Sequence, residues 1–366
     1  MNDSTRVVVA MSGGVDSSVA AALLKQQGYD VIGMMLRLWS EPGKEAYNRC
    51  CTPDAMALAR RVAAKLEIPF YAVDAQEEFH ENVVKYFIDG YAQGITPNPC
   101  LACNRHIRWT YLLGRAQSLG AEFMATGHYA RIQREESGVI QLLRGVDDQK
   151  DQSYVLHVLT QAQLAHALFP LGEYTKPQVR QLAREFELPV AERTDSQDLC
   201  FLAGGDYRNF LVRNAPQIFS PGTIQTRQGE ILGEHQGLAF YTIGQRKGLG
   251  IASPVPMYVI EKDIHQNRLV VGTKDELGHN ELHALEVNWV NGVEPAEPFR
   301  AQVKIRYKAH EAWGTVHPLS SDAVRIHFDD PLRDITPGQA AVFYNGDLCL
   351  GGGIIQEKTE RERRNP

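Results

Sequence analysis

The chain has 366 residues, of which 43% are hydrophobic and 22% charged, and its formal net charge is −6. This composition is that of a soluble globular protein and excludes a largely disordered chain. One hydrophobic core rarely extends over more than about 300 residues, so two or three domains are expected. The negative charge gives no overall attraction to nucleic acid, so any such contact would depend on local basic patches.

The N-terminal segment and the hydropathy predict a cytoplasmic protein that does not enter a membrane. Residues 1–5 are polar and lead directly into a run of three valines, without the apolar segment of a secretory signal. The sequence contains no stretch close to the roughly 18 uninterrupted apolar residues that a membrane span needs. In a large intracellular chain, cysteines are interpreted as thiols, metal ligands or catalysts before structural disulfides.

The first 200 residues alternate short apolar runs with amphipathic helical patterns, which is typical of parallel βαβ units. The predicted strands are 7–10, 31–36, 70–73 and 123–126, and the predicted helices are 17–27, 55–66 and 75–94. A proline-containing loop is predicted at residues 96–103. The pattern favours an α/β fold with a doubly wound parallel sheet, whose functional loops follow the carboxyl ends of the strands.

From about residue 220 the pattern changes to short β-like stretches separated by glycines. The first series is 223–226, 231–232, 257–261 and 268–271. A second series, 301–307, 313–317, 323–328 and 340–344, is typical of a small antiparallel barrel. The predicted domains are therefore 1–213 for the α/β part, 214–280 for a central β-rich part and 281–366 for a C-terminal β-barrel.

A glycine-containing loop, Ser12-Gly13-Gly14-Val15-Asp16-Ser17, joins the first predicted strand to the first predicted helix. The glycines let the backbone turn with its N–H groups exposed, and the helix N-terminus adds further donors for an anion. A Walker loop would need a lysine after Gly14, and none is present. Asp16 beside phosphates is suited to hold Mg²⁺. The loop therefore predicts a phosphate cradle, and a serine-capped glycine turn is the alternative.

Two thiols, Cys100 and Cys103, have a CxxC spacing, and Cys200 supplies a third thiol far along the chain. A thiolate is a good nucleophile and a carrier of sulfur when cations or a helix N-terminus stabilise it. The residues that could supply this positive field are Arg105, His106, His128 and Arg193. The other three cysteines, Cys50, Cys51 and Cys349, are expected to be small buried apolar residues.

Seven segments in the same order carry a family resemblance: SGGVDSS, TPNPxxxCN, ATGHYAR, LLRGVDDQKDQSYVL, DSQDLCF, GEHQGLAFYTIGQRKGLGI and TPGQAAVFYNGDLCLGGGII. Together they resemble the tRNA-specific 2-thiouridylases, the MnmA/TrmU family of the PP-loop ATP pyrophosphatase superfamily. The resemblance spans nearly the whole chain. It implies an adenine nucleotide α-hydrolase-like fold and ATP-dependent adenylation of the C2 oxygen of tRNA uridine 34. Sulfur then replaces that oxygen, and AMP and pyrophosphate leave.

The resemblance also implies roles for individual residues. It makes Cys103 the nucleophile, Cys200 the persulfide carrier and Asp16 a catalytic residue beside the phosphates. The residues it places against ATP are Ala10, Met11, Ser12, Gly13, Gly14, Val15, Asp16, Ser17, Leu36 and Gly127. Those it places against tRNA are Asn98, Pro99, Cys100, His128, Lys150, Asp151, Gln152, Arg306, Tyr307 and Gln339. Uridine 34 would have to leave its stack to reach both ATP and a buried thiol.

Two basic segments of the second half are further candidates for RNA contact. The segment 241–248 is a glycine-flanked loop between predicted strands, with cations suited to phosphate. Lys304, Arg306 and Lys308 alternate along one predicted strand, which would place all three on one face. A charged, solvated outer face is the alternative.

One position departs from the family pattern, because Cys100 stands where many members have Asp after Asn98-Pro99. The acid/base helper assigned to that position is then missing. Three thiolates, from Cys100, Cys103 and Cys200, can instead hold a [4Fe–4S] cluster with one iron left for sulfide. Cluster delivery of sulfur therefore stays an alternative to the persulfide with its Cys103–Cys200 disulfide cycle.

The expected substrates and partners are ATP with Mg²⁺, the anticodon loop of a tRNA, and a persulfide donor or relay protein, with the enzyme itself a monomer. Two rival functions use some of the same features. A small-molecule adenylating synthetase would need the loop but neither thiols nor RNA. A noncatalytic RNA-binding protein would need neither ATP cleavage nor thiols.

Overall fold

The computed structural model describes residues 4–44, 52–194, 199–202 and 205–357. Cys50 and Cys51, expected to be buried apolar residues, lie outside the described residues. Within those ranges, none of the helices combines the length and the apolar character needed to cross a bilayer.

The N-terminal domain is built on a five-stranded sheet in which all pairings are parallel and the strand order is β3-β2-β1-β4-β7. These strands are β1 (Arg6–Ala10), β2 (Asp30–Arg37), β3 (Phe70–Asp74), β4 (Phe123–Ala125) and β7 (Ala167–Leu168). Val7, Val8 and Val9 are fully buried, because a parallel sheet is covered on both faces. The strand order reverses at β1, because β2 and β3 lie on one side of it and β4 and β7 on the other. Open α/β sheets bind ligands at such a point, so the crevice between β1 and β4 is the expected ligand position.

Helices follow the strands much as the periodicity predicts. Helix α1 is Val15–Gln26, and α2 is Pro53–Lys65. The third predicted helix consists of three consecutive segments, Gln76–Phe79, His80–Lys85 and Tyr86–Ala92, the middle one a π-helix. The predicted helices 17–27, 55–66 and 75–94 are therefore confirmed.

The predicted loop at 96–103 is wrong over its second half, because a long helical stretch begins at Pro99. It consists of Pro99–Ala102, a π-helical segment Cys103–Leu112, and Leu113–Ser118. Asn98 caps it, since its Oδ1 accepts a hydrogen bond from the Cys100 N–H at 3.1 Å. Proline is favoured at a first helical position, where its missing N–H costs nothing. The two thiols of the CxxC motif therefore lie in a helix, which we call the thiol helix (residues 99–118).

A six-stranded antiparallel barrel forms the C-terminal domain, as predicted. Its order is β12-β15-β14-β13-β16-β17, and the pairing of β12 with β17 closes it. The strands are β12 (His279–Trp289), β13 (Phe299–Lys304), β14 (Ala312–Ser320), β15 (Ala323–Leu332), β16 (Ala340–Asn345) and β17 (Leu348–Ile355). A hairpin from the first half of the chain, β5 (Ala130–Arg134) with β6 (Ile140–Arg144), extends this sheet beyond β17. The α/β domain and the barrel thus share one sheet.

The predicted row of cations on one strand is wrong. Strand β13 ends at Lys304, so Arg306 and Lys308 lie in the turn that follows it. Lys304 is buried, with Nζ 3.6 Å from Glu311 Oε1. Arg306 lies 3.4 Å from Asp334 and donates a hydrogen bond to the Ile243 carbonyl at 3.3 Å. Arg306 therefore joins the barrel to the basic loop of the central domain.

The central domain contains a four-stranded sheet of order β10-β11-β8-β9. The strands are β8 (Gly222–Gln225), β9 (Ile231–His235), β10 (Tyr258–Asp263) and β11 (Arg268–Gly272). The glycine-flanked segment 241–248 connects β9 to β10, as predicted. Lys262 on β10 is 5% exposed, and its ammonium donates to the Tyr241 carbonyl at 3.2 Å. Burial lowers the pKa of Lys262 to about 8.

Replacing Lys262 with methionine is expected to stabilise the protein at pH 7. Below pH 8 the folded state buries a charged ammonium, which costs about 3 kcal/mol relative to the unfolded chain. Between pH 8 and about 10.5 the unfolded chain binds a proton that the folded state does not, so wild-type stability rises with pH. The stability difference from Lys262→Met, measured by urea unfolding at a series of pH values, should therefore shrink over this interval. A difference that stays constant with pH would contradict the assignment.

Candidate functional site

The loop between β1 and α1 has the backbone geometry of an anion site. Gly13 has φ +69°, and a Cβ there would lie 2.3 Å from the Ala55 carbonyl oxygen, so only glycine fits. The Ser12 N–H donates to Ser17 Oγ at 3.1 Å, which closes the loop. The N-cap of α1 is Gly14, which provides no side-chain cap. The first turn of α1 therefore directs its N–H groups and positive dipole end towards a ligand position.

A cavity of about 640 Å³ lies where β1, β2 and β4 end, and it is lined by both this loop and the thiol helix. Residues predicted to bind ATP that line it are Ala10, Met11, Ser12, Gly14, Val15, Asp16, Ser17, Leu36 and Gly127. Both sulfur residues, Cys103 and Cys200, also line it. The structure therefore brings the phosphate loop and two thiols that are distant in sequence into one cavity.

Of the residues predicted to contact tRNA, His128, Lys150, Gln152 and Tyr307 line this cavity. The remaining predicted site residues, which do not line it, are Gly13, Asn98, Pro99, Cys100, Asp151, Arg306 and Gln339. Asp151 is buried, and its Oδ1 accepts hydrogen bonds from the Gly145 and Ser153 N–H groups, both at 3.1 Å. In this arrangement Asp151 holds the turn that follows β6.

Gln339 connects the barrel to the segment in front of the thiol helix. Its Nε2 donates to the Thr96 carbonyl at 2.7 Å, and the Thr96 N–H donates to the Pro337 carbonyl at 2.8 Å. A Cβ on Gly338 would lie 2.9 Å from the Thr96 carbonyl, so glycine is needed for this close contact. The barrel thus fixes the start of the thiol helix.

His128 is 5% exposed, and both of its ring nitrogens are hydrogen-bonded within the protein. Nδ1 lies 2.7 Å from Thr126 Oγ1, and Nε2 lies 2.8 Å from Arg108 Nη1. A guanidinium only donates, so Nε2 accepts and the proton is on Nδ1. Burial, and then the charge of Arg108, holds the pKa of His128 well below its usual range. His128 is therefore a neutral residue that positions Arg108 at the cavity.

Sequence analysis missed Arg108, and the π-helical segment explains why. In a π-helix the hydrogen bonds run from i to i+5, so residues five apart lie nearly above one another. Cys103 and Arg108 therefore share the cavity face of the thiol helix, with Ile107 and Leu112 beside them. In an α-helix the residues that share a face are three or four apart. Arg108, five residues after Cys103, would then have lain on another face.

Lys176 is the second residue that sequence analysis missed. Its Nζ lies 2.6 Å from Asp16 Oδ1, which also accepts a hydrogen bond from the Tyr129 hydroxyl at 2.8 Å. Lys176 is 8% exposed and is the first residue of the helix Lys176–Glu185. Arg193, predicted as a local cation, donates to the Gly13 carbonyl at 2.6 Å. The phosphate loop is thus held by two cations from a later part of the domain.

The thiols differ in their surroundings. Cys100 is exposed, Cys103 and Cys200 are half-buried, and Cys349 is buried as expected, with burial raising the pKa of its thiol. Among the described residues, no three His, Cys, Asp or Glu side chains are grouped so that they could hold a metal ion. Cys100, Cys103 and Cys200 as placed here do not form the three-thiolate site of a cluster.

The fold and the site define the class of protein. It is an α/β nucleotide-binding protein equipped for cysteine chemistry, because the loop after the first parallel strand can cradle phosphate and two thiols line the same cavity.

Three family models match the chain. They are described as a tRNA methyl transferase HUP domain (residues 5–204), a tRNA methyl transferase PRC-barrel domain (208–273) and an aminomethyltransferase beta-barrel domain (279–355). The tRNA-specific 2-thiouridylase MnmA of Moorella thermoacetica is 49% identical, over 95% of this chain and 99% of the relative. The chain belongs to the tRNA-specific 2-thiouridylase family, MnmA/TrmU.

Other relatives match over comparable lengths. The protein of the same name from Magnetococcus marinus is 48% identical, over 97% of this chain and 100% of the relative. That from Clostridioides difficile is 46% identical, over 96% and 98%. The matches thus extend through all three domains.

Proposed function

We propose that this protein is a tRNA-uridine 2-sulfurtransferase that activates uridine 34 with ATP and transfers sulfur from a cysteine persulfide. The observation that carries the proposal is the common cavity of the phosphate loop, Cys103 and Cys200. A small-molecule adenylating synthetase has no use for two thiols at that position. Because its proposed substrate is tRNA, we propose that the enzyme acts in the cytoplasm. We also propose that it is a monomer, with domains at residues 1–213, 214–280 and 281–366.

ATP is a substrate whose phosphates fit the N-terminal turn of α1. The turn offers backbone N–H groups and a positive dipole end, and Lys150, Arg193 and Lys308 add cations to the cavity wall. Asp16 is the carboxylate positioned to hold Mg²⁺, which would neutralise charge on the phosphates. Its Oδ1 lies 2.6 Å from the Lys176 ammonium. Adenylation turns the C2 oxygen of uridine into part of a good leaving group.

Sulfur transfer then uses both cavity thiols. The terminal sulfur of a persulfide on Cys200 attacks C2 of the activated uridine, and AMP leaves. The Cys103 thiolate attacks Cys200 Sγ, the S–S bond to the uridine sulfur breaks, and 2-thiouridine is released. A Cys103–Cys200 disulfide remains. The sulfur comes from a separate persulfide donor protein.

The extruded base would enter the same cavity beside the nucleotide. Lys150 and Gln152 lie where β6 leads into the next helix, and Tyr307 lines the cavity beside them. Such a mixture of cation, amide and aromatic ring suits backbone contact together with base stacking. The basic loop 241–248 is suited to phosphates further along the RNA.

The proposal is tested by measuring pyrophosphate release and 2-thiouridine formation with ATP, an unmodified tRNA and a persulfide donor. Release should require tRNA, and 2-thiouridine should require both tRNA and donor. A matched tRNA with cytidine at position 34 is the control and should yield no thiolated product. Release without tRNA would favour the synthetase, and RNA binding without any release would favour a noncatalytic protein.

The source of sulfur is tested separately. Protein purified without oxygen is analysed for iron, sulfide and visible absorption, together with a Cys100→Asp variant. Iron-free protein that is active with a persulfide donor supports the proposal. Activity that depends on bound iron and is lost in Cys100→Asp would replace it with cluster delivery.

A further inference from the structure

Arg108 is held by a buried group of polar side chains at the wall of the cavity. Its Nη1 donates to His128 Nε2 at 2.8 Å and lies 3.5 Å from Asn104 Oδ1. On the other side of the imidazole, Nδ1 lies 2.7 Å from Thr126 Oγ1. His128, Asn104 and Thr126 are 5%, 2% and 3% exposed, whereas Arg108 is half-buried and lines the cavity. The protein therefore fixes the guanidinium from behind, at the wall of the site.

Arg108 has the phosphate loop on one side and Cys103 on the other. His128, which accepts from its guanidinium, directly follows Gly127, and a Cβ on Gly127 would lie 2.8 Å from the Ser17 nitrogen in the first turn of α1. On the thiol helix, Arg108 follows Cys103 by five residues on the cavity face of the π-helical segment. A cation therefore lies where the nucleotide part of the cavity meets the sulfur part.

This position matters because of the bond that adenylation creates. Uridine O2 becomes bonded to the α-phosphorus of ATP, so the α-phosphate lies between the adenosine and C2 of the base. The phosphate loop holds the nucleotide, and C2 must lie within reach of the sulfur. The α-phosphate therefore belongs at the junction where Arg108 lies, whether the sulfur arrives on a persulfide or on a cluster. A guanidinium has a permanent charge, and its planar donors match two phosphate oxygens.

We propose that Arg108 is a catalytic residue that binds the α-phosphate through both chemical steps, with His128 as its positioning residue. This rests on the proposed function. In the first step uridine O2 attacks the α-phosphorus and the O–P bond forms. The P–O bond to the β-phosphate breaks, its electron pair leaves on pyrophosphate, and the uridine loses its N3 proton to solvent. Arg108 binds the non-bridging α-oxygens, on which negative charge increases as the bonds exchange.

The same guanidinium assists the departure of AMP. In the second step sulfur forms a bond to C2, the C2–O2 bond breaks, and its electron pair leaves on the AMP phosphate. N3 regains a proton when 2-thiouridine is released. The phosphate gains a negative charge in this step, so a fixed cation beside it stabilises the leaving group.

His128 holds Arg108 only as the neutral imidazole. Its Nε2 accepts from the guanidinium, and its Nδ1 proton is directed to Thr126 Oγ1. A group that stabilises developing charge is most effective when it is oriented before the charge appears. The imidazole supplies this orientation without touching the phosphate itself.

The first test measures single-turnover pyrophosphate release with ATP and tRNA but without a sulfur donor. Arg108→Gln should slow release by at least about 10²-fold, because it removes the charge from the α-phosphate. Arg108→Lys, which keeps the charge but loses the planar fork, should fall between this variant and wild type. Arg115→Gln is the matched control and should release pyrophosphate like wild type. Arg115 lies on the same helix, is exposed, and has its guanidinium 5.0 Å from the centroid of the Tyr111 ring.

The second test separates positioning from general support of the fold. His128→Leu removes the acceptor and should slow release by about tenfold or more, since the guanidinium loses its fixed orientation. His128→Gln carries an amide oxygen that can accept from Arg108 and should recover most of the rate. Combining His128→Leu with Arg108→Gln should slow release no further than Arg108→Gln alone, because His128 acts through Arg108. A further loss in the double variant would show a separate structural role and overturn the positioning.

ATP affinity by calorimetry and urea unfolding complete the experiment. Arg108→Gln should remain folded, and its ATP affinity should change far less than its rate, because the contact strengthens in the transition state. Pyrophosphate release at the wild-type rate in Arg108→Gln would overturn the catalytic role. An equal loss of ATP affinity and rate would also overturn it, since the contact would then serve binding alone. Absence of tRNA-dependent release from wild type would instead contradict the proposed function.

Discussion

Replacing Cys200 with serine is expected to lower 2-thiouridine formation by at least about 10³-fold while leaving ATP binding intact. The change removes the sulfur that would carry the persulfide, and a hydroxyl cannot replace it. The phosphate loop belongs to a different part of the cavity wall, so its backbone donors are unaffected. Thiolation is measured by nucleoside analysis of the tRNA, and ATP binding by calorimetry.

A second measurement separates activation from sulfur transfer. Cys200→Ser should still release pyrophosphate when tRNA is added, because adenylation precedes the sulfur step. Cys349→Ala is the matched control for loss of a thiol and should retain the wild-type rate. Normal 2-thiouridine levels in Cys200→Ser would reject the assignment of the persulfide carrier.

Replacing Gly127 with alanine is expected to weaken ATP binding by at least about tenfold, or 1.4 kcal/mol. An added Cβ would lie 2.8 Å from the Ser17 nitrogen and 2.9 Å from the Asp16 carbonyl carbon. Both are backbone atoms of the first turn of α1, which cannot rotate away as a side chain would. The turn must therefore move, and its N–H groups lose their alignment with the phosphates. The measurement is ATP affinity by calorimetry.

Gly114 provides the matched control. It lies in the final segment of the thiol helix, and a Cβ there meets nothing within 4 Å. Gly114→Ala should bind ATP like wild type and gain roughly 0.5–1 kcal/mol of stability, since alanine loses less backbone entropy in a helix. Wild-type ATP affinity in Gly127→Ala would show that the first turn of α1 does not hold the phosphates.

The sequence predicted the features that depend on local patterns. Each of these patterns extends over only a few residues: the three valines of β1, the glycines of the phosphate loop and the alternating residues of the barrel strands. The start of the thiol helix was missed because Pro99 was interpreted as part of a loop, although proline is common at a first helical position. The cation row failed because β13 ends at Lys304, and strand ends are poorly defined by periodicity.

The remaining features depend on contacts between distant segments. The ion pair of Lys176 with Asp16 joins residues 160 positions apart, so no local spacing indicates it. Arg108 shares a face with Cys103 only because the helix is π-helical there. Asp151 and His128 were predicted to contact tRNA because they are polar and lie in motifs. Their burial depends on packing against distant segments, which the motifs do not show.

The contacts of Thr96 and of the β5–β6 hairpin have a consequence for biosynthesis. Both segments lie in the first half of the chain, but their partners are Pro337, Gln339 and strand β17, near its end. A ribosome releases the first half well before the second, and the earlier domain generally folds as it emerges. Here the hairpin edge and the entry to the thiol helix stay unpaired until residues 337–355 have been synthesised. A nascent chain stalled before those residues would therefore leave the start of the thiol helix without its anchor on the barrel.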